Sequence, residues 1–114
     1  MQTFLLIFRI NDQPHANPTP EQMQERMNWL AGIAARNQLV DKGNRLAAGP
    51  AKTVKPGNIV TDGPYTEIRE FISGYMLVKA ADIADAVTMA QANPILKMGG
   101  SVEVRTVLLP EERG

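Results

Sequence analysis

The chain has 114 residues, with 12 Lys plus Arg against 12 Asp plus Glu, one His, no Cys and 44% hydrophobic content. That length is one small domain, able to bury roughly two-thirds of the unfolded chain's surface without disulfides or a structural metal. Zero net charge and the lack of a basic block speak against direct nucleic-acid binding, and one His without Cys excludes the usual zinc site, an iron–sulfur cluster and a thiol nucleophile, so no metal or cofactor is expected.

The apolar stretch Phe4 to Phe8 is far shorter than the ~20 residues of a membrane span and has neither a basic flank nor a small-residue cleavage site. No membrane partner and a cytoplasmic location are therefore expected. Met1 to Ile10 alternates Phe4, Leu6, Phe8 and Ile10 with Leu5, Ile7 and Arg9, which predicts a central strand covered on both faces. Asn11 to Pro20 is a loop, and Thr19-Pro20-Glu21 reads as an N-cap, a first-turn proline and an acid favoured by the helix dipole. The spacing of Met23, Met27, Leu30 and Ala34, widened by Ile33, predicts a helix with that stripe buried. It is expected to run to about Val40 and stop at Asp41-Lys42-Gly43.

Leu46 to Lys55 holds two short possible strand pieces broken by Gly49-Pro50, and Lys55-Pro56-Gly57-Asn58 is a turn leading into a short strand at Ile59 to Thr61. Asp62-Gly63-Pro64 forces a tight loop. Phe71 to Lys79 predicts a main strand with Phe71, Ser73, Tyr75 and Leu77 on one face and Ile72, Gly74, Met76 and Val78 on the other. Asp82 then caps a helix with Ile83, Ala86, Val87 and Ala90 as its buried stripe, ending near Asn93-Pro94. Ser101 to Leu109 closes as a strand, with Glu103, Arg105 and Val107 on one face. Residues 1–110 form the expected domain, and Glu111 to Gly114 a solvated polar tail.

This β-α-β-β-α-β order predicts an α+β fold, a ferredoxin-like antiparallel sheet with an extra hairpin and both helices on one face. The uncovered face would show Leu5, Ile7, Leu77 and Val107 to water, a large patch for a monomer. A homodimer with sheets packed face to face, a dimeric α+β barrel, is the expected closure.

The run Val60-Thr61-Asp62-Gly63-Pro64-Tyr65-Thr66-Glu67, then Gly74-Tyr75, then Gly99-Gly100-Ser101-Val102-Glu103-Val104-Arg105, resembles the YCII-related family in its DGPF-motif branch, with Tyr65 where Phe is usual. The resemblance spans nearly the whole chain and implies the same dimeric α+β barrel. It implies no settled activity, although some members are regarded as small enzymes and the DGPF branch is linked to extracytoplasmic-function sigma factors. The family's proposed catalytic pair, a His in the first helix and an Asp near the end of the second, falls by eye on Trp29 and on or near Asn93. Neither residue can take up that acid–base role.

Two constellations remain. The Asp62-Gly63-Pro64-Tyr65 loop presents a carboxylate and a phenol to a ligand, or else serves as turn geometry alone. Strand alternation puts Arg9, Tyr75, Glu103 and Arg105 on the sheet face opposite the helices. As a site, the arginines would hold an anionic group, with Tyr65 and Tyr75 as further ligand contacts and Asp62 or Glu103 as proton carrier. As structure, Glu103 neutralises the arginines at the subunit interface. His15 reads as an exposed loop residue, and Trp29 and the methionines as packing. The leading expectation is a homodimer binding a small polar or anionic metabolite, with cofactor-free acid–base catalysis if it is an enzyme. Its rival is a non-catalytic regulatory or scaffold dimer tied to sigma-factor-dependent transcription.

Overall fold

The computed structural model describes residues 1–11, 19–47, 51–63 and 70–110. Among the described residues the fold is α+β, with two α-helices and an antiparallel four-stranded sheet in the order β2 (Leu39–Asp41), β5 (Glu70–Ala80), β1 (Gln2–Asn11), β6 (Ser101–Thr106), plus a separate two-stranded ribbon of β3 (Lys52–Lys55) and β4 (Ile59–Asp62). Strand β1 (Gln2–Asn11) pairs along its whole length with β5 (Glu70–Ala80) and over Phe4 to Arg9 with β6 (Ser101–Thr106), so it is central as its two-sided apolar pattern predicts. Phe4, Leu6 and Phe8 turn toward the helices and join Met76, Val78 and Ala80 of β5 in the core. Ile33 from the first helix and Ala86 and Met89 from the second pack into the same cluster, so both helices cover one face.

Helix α1 (Pro20–Ala35) begins as expected: Thr19 and Gln22 form a reciprocal capping box and Pro20 occupies the first turn. Its end and its buried stripe both differ from expectation. Asn37 adopts a left-handed φ of 58° and stops the helix short of Val40, and Leu39–Asp41 is instead the edge strand β2 paired with β5. Met23, Met27 and Ala34 are exposed, while Ile33 is buried and Trp29 and Leu30 pack against the core. The stripe is thus rotated by about a quarter turn at 100° per residue. Trp29 carries the largest apolar surface on the helix, meets Phe8 edge to face at 6.2 Å, and donates its indole N–H to the Met89 carbonyl at 3.0 Å.

Asp82 caps α2 (Ile83–Gln91) by accepting from the Asp85 amide at 2.8 Å. Its buried residues are Ala86, Met89 and Ala90, whereas Ile83 and Val87 are exposed. The small alanines let the helix lie close to the sheet, and Met89 reaches into the remaining space. Past Asn93 the chain makes a 3-10 helix, Pro94–Met98. Buried Asn93 caps it through the Ile95 amide at 2.8 Å.

Opposite Phe8 and Arg9, β5 contains a bulge at Ser73, whose hydroxyl donates to the Phe8 carbonyl. The extra residue moves Ile72 opposite Arg9, hence onto Arg9's face and off the helix face predicted by simple alternation. Strand β6 ends at Thr106, three residues earlier than expected, with one more ladder bond from the Val107 amide to Thr3.

Strands β3 (Lys52–Lys55) and β4 (Ile59–Asp62) form the hairpin around Pro56-Gly57-Asn58, where Gly57 and Asn58 both have positive φ as a tight turn requires. Of the two strand pieces expected before this turn, the later one forms, whereas at the start of the earlier one Leu46 only donates its amide to the Ser73 carbonyl at 2.8 Å, next to an isolated bridge from Arg45 to Gly74. Gly49-Pro50 and the polar tail lie outside the described residues.

Candidate functional site

The open face of the sheet is set by register. Across β5, β1 and β6, one row is Leu77, Leu5, Arg105 and the next is Tyr75, Ile7, Glu103. Arg9 pairs with Ser101, which makes it a diagonal neighbour of Glu103 at the ~7–8 Å that long side chains span. Arg9 Nη1 donates to Glu103 Oε1, and Arg105 Nη1 donates to Glu103 Oε2 at 3.4 Å. Both carboxylate oxygens are thus engaged by guanidinium groups, with Arg9 and Glu103 partly buried and Arg105 68% exposed. The sequence places these three residues together, and the structure does so too.

Tyr75 shares the face but not the cluster, because Ile7 stands between it and Glu103. Its hydroxyl accepts from Asn44 Nδ2 at 3.0 Å. Sequence reasoning does not single out Asn44; the signal for it is the preceding glycine. Gly43, at φ +67°, passes so close to β5 that a Cβ there would sit 1.8 Å from the Tyr75 carbonyl oxygen. Only glycine allows this approach, and it brings the Asn44 amide over Tyr75.

Asp62 is placed elsewhere. It ends β4, pairs with Lys52 across the hairpin, and has a side chain 86% exposed. The Gly63 amide bonds the Ala51 carbonyl at 2.7 Å and the Thr53 hydroxyl bonds the Gly63 carbonyl at 2.8 Å, so Asp62-Gly63 closes the base of the ribbon. Asp62 bonds Lys52, whereas Glu103 is the carboxylate that Arg9 and Arg105 bond. Tyr65 and His15 lie outside the described residues.

A cleft of about 620 Å³ opens on the helix side, between α1 and α2, with Glu25, Trp29, Arg36, Gln38 and Asp85 among its walls. None of Arg9, Asp62, Tyr75, Glu103 or Arg105 lines it. Its polar groups are largely engaged within the chain: Glu25 pairs with Lys97 at 3.0 Å, Asp85 accepts from the Ala81 amide at 3.1 Å, and Arg36 donates to Gln38 at 2.9 Å. Among the described residues, no helix is long and apolar enough to cross a membrane.

A family model for the YCII-related domain matches residues 4–110. The chain belongs to the YCII-related family. A search of curated proteins found no match. In this YCII-related chain Trp29 and Asn93, the places where the resemblance led us to look for an acid–base pair, do structural work. Trp29 bonds a backbone carbonyl and walls the core, and Asn93 is a buried helix cap.

Proposed function

We propose that this YCII-related protein acts as a homodimer in which the open face of one sheet packs on that of a second copy, and that its role is regulatory or scaffolding rather than catalytic. The observation that carries this reading is the strip of Leu5, Ile7 and Leu77, apolar and half-buried on a sheet whose other face is covered by helices. Arg9, Glu103 and Arg105 form the polar seam of that interface, with one carboxylate shared by two guanidinium groups in each copy. The sheet order β2-β5-β1-β6 supports the ferredoxin-like closure, and Asp62-Gly63 at the end of β4 supports the DGPF branch, with sigma-factor-dependent transcription as its setting. Against proton transfer stands the placement of both carboxylates: Glu103 is engaged by two arginines, Asp62 by Lys52, and neither lines the cleft.

Sedimentation equilibrium at micromolar concentration tests the reading. Wild type should run as a dimer, and Leu5→Glu should run as a monomer with an unchanged far-ultraviolet spectrum, since residue 5 lies opposite Arg105 and the new carboxylate gains a partner there. A wild type found only as monomer overturns it.

The exposure of Arg105 favours a second reading, in which its remaining donors and the Tyr75 hydroxyl hold a small anionic metabolite. Arg105→Ala separates the two: loss of anion binding with the dimer intact supports the metabolite site, and loss of the dimer supports the scaffold.

A further inference from the structure

Gly32 stands in the interior of α1 with no backbone reason to be glycine. Its conformation is helical, where glycine costs stability relative to alanine. Apart from its own helix backbone, a Cβ built there would meet nothing within 4 Å except Nη1 of Arg36, at 3.4 Å. The residue therefore opens a notch in the helix surface, and the notch lines the cleft between α1 and α2. Glu25, Trp29, Gly32 and Arg36 recur at spacings of four, three and four, so one face of α1 makes that wall of the cleft.

Arg36 is placed for an anion. Its Nη1 lies over Gly32, one turn back, while its Nε donates to Gln38 Oε1 at 2.9 Å. Gln38 is buried and itself pinned: its amide donates to the Ile33 carbonyl at 3.1 Å, and its carbonyl accepts from the Lys79 amide at 2.8 Å. The guanidinium is thus oriented through Nε, and its two Nη groups have no hydrogen-bond or ion-pair partner among the described residues. Glu25 and Asp85, the carboxylates of the same cleft, bond Lys97 and the Ala81 amide instead. Their charges disfavour a ligand with more than one negative charge. Trp29, Met89 and Pro94 make the neighbouring wall apolar. The Trp29 indole N–H is already bonded to the Met89 carbonyl, so what it offers a ligand is ring surface. We propose that this cleft binds a small aromatic monocarboxylate: the Arg36 Nη groups hold the carboxylate, and the ring lies against Trp29 over the notch at Gly32. At about 620 Å³ the cleft has the size of small-molecule sites. A dimer formed through the open sheet face leaves it accessible, because it lies on the helix side.

The chain has one Trp, so a single indole N–H resonance reports on the cleft. In an NMR titration of the full chain at fixed ionic strength, phenylacetate should shift the Trp29 indole and the Gly32 amide saturably. Phenylacetamide, which keeps the ring and loses the charge, should bind at least about tenfold more weakly. Arg36→Gln should weaken phenylacetate binding by a similar factor of about ten. Gly32→Leu fills the notch with a better helix former, so it should abolish the saturable shift while raising the melting temperature by a few degrees. A merely structural glycine would not move binding and stability in opposite directions. Equal binding of phenylacetate and phenylacetamide overturns the carboxylate contact, and the lack of a saturable shift at millimolar phenylacetate overturns the site. A Gly32→Leu chain that melts lower shows the notch to be packed and overturns it as well. Shifts confined to Tyr75 and Arg105 place the anion on the sheet face instead, against this proposal.

Discussion

The sheet body and the β3–β4 hairpin are written in the same alphabet and end in opposite states. In β1, Phe4, Leu6 and Phe8 alternate onto the helix side and are buried. In the hairpin, Val54 and Val60 oppose each other in equally regular register and stay in water. Strand pattern and turn chemistry are enough to pair backbones, but pairing becomes burial only when a second layer is present. The body has that layer in α1 and α2, and the hairpin has none among the described residues of its own chain.

The contrast breaks most readily in the body. At matched protein concentration, Phe4→Ala should cost about 3–5 kcal/mol in urea unfolding, the range for emptying a fully buried aromatic position, whereas Val54→Ala in the same experiment on a monomeric background should stay within about 0.5 kcal/mol. Equal losses would mean the hairpin is packed as the body is. Gly43→Ala comes next. With a positive φ and no room for a Cβ beside the Tyr75 carbonyl, strain on the order of 1–3 kcal/mol is expected, together with displacement of Asn44, visible as a shift of the Tyr75 ring resonances. An unshifted Tyr75 would show that the close approach does not hold the pair.

Asp82→Ala removes the cap of α2 and should cost about 1 kcal/mol by thermal or urea melting. Smallest are the ion pairs, and they sharpen the comparison because one lies in each region. Glu103→Gln leaves partly buried Arg9 without its carboxylate and should cost up to about 1 kcal/mol, less at high salt, while Lys52→Ala on the exposed hairpin pair should be lost in experimental error. A larger cost at Lys52 would reverse the ranking of the two regions.

Where one residue type dictates local geometry, the chain could be read directly. Thr19-Pro20 and Asp82 start their helices as capping chemistry requires, and Pro56-Gly57-Asn58 turns where positive φ is needed. Alternation placed Arg9, Glu103 and Arg105 on one face, and that part of the candidate site was legible because strand periodicity fixes the side on which a residue lies. What escaped depended on competition between neighbours. Trp29 outweighs Met23 and Met27 for the buried side of α1 only once Phe8 is there to meet it. Asn37 ends that helix ahead of the more conspicuous Gly43, and the Ser73 bulge redirects Ile72 with no sequence mark of its own. Asp62 could not be distinguished from a site residue by pattern, because its distance from the arginines is set by how the hairpin leaves the body.

The central position of β1 also has a consequence in time. Its hydrogen-bonding neighbours, β5 and β6, both lie far downstream, and Arg9 and Glu103 meet across a sequence separation of 94. At roughly 5–20 residues per second, the ~60 residues between Asn11 and Glu70 take roughly 3–12 s to synthesise. Throughout that interval a strand apolar on both faces is exposed with both edges unpaired, the condition under which nascent chains pair with one another. That exposure belongs to the growing polypeptide rather than to the finished fold, and it lengthens as translation slows.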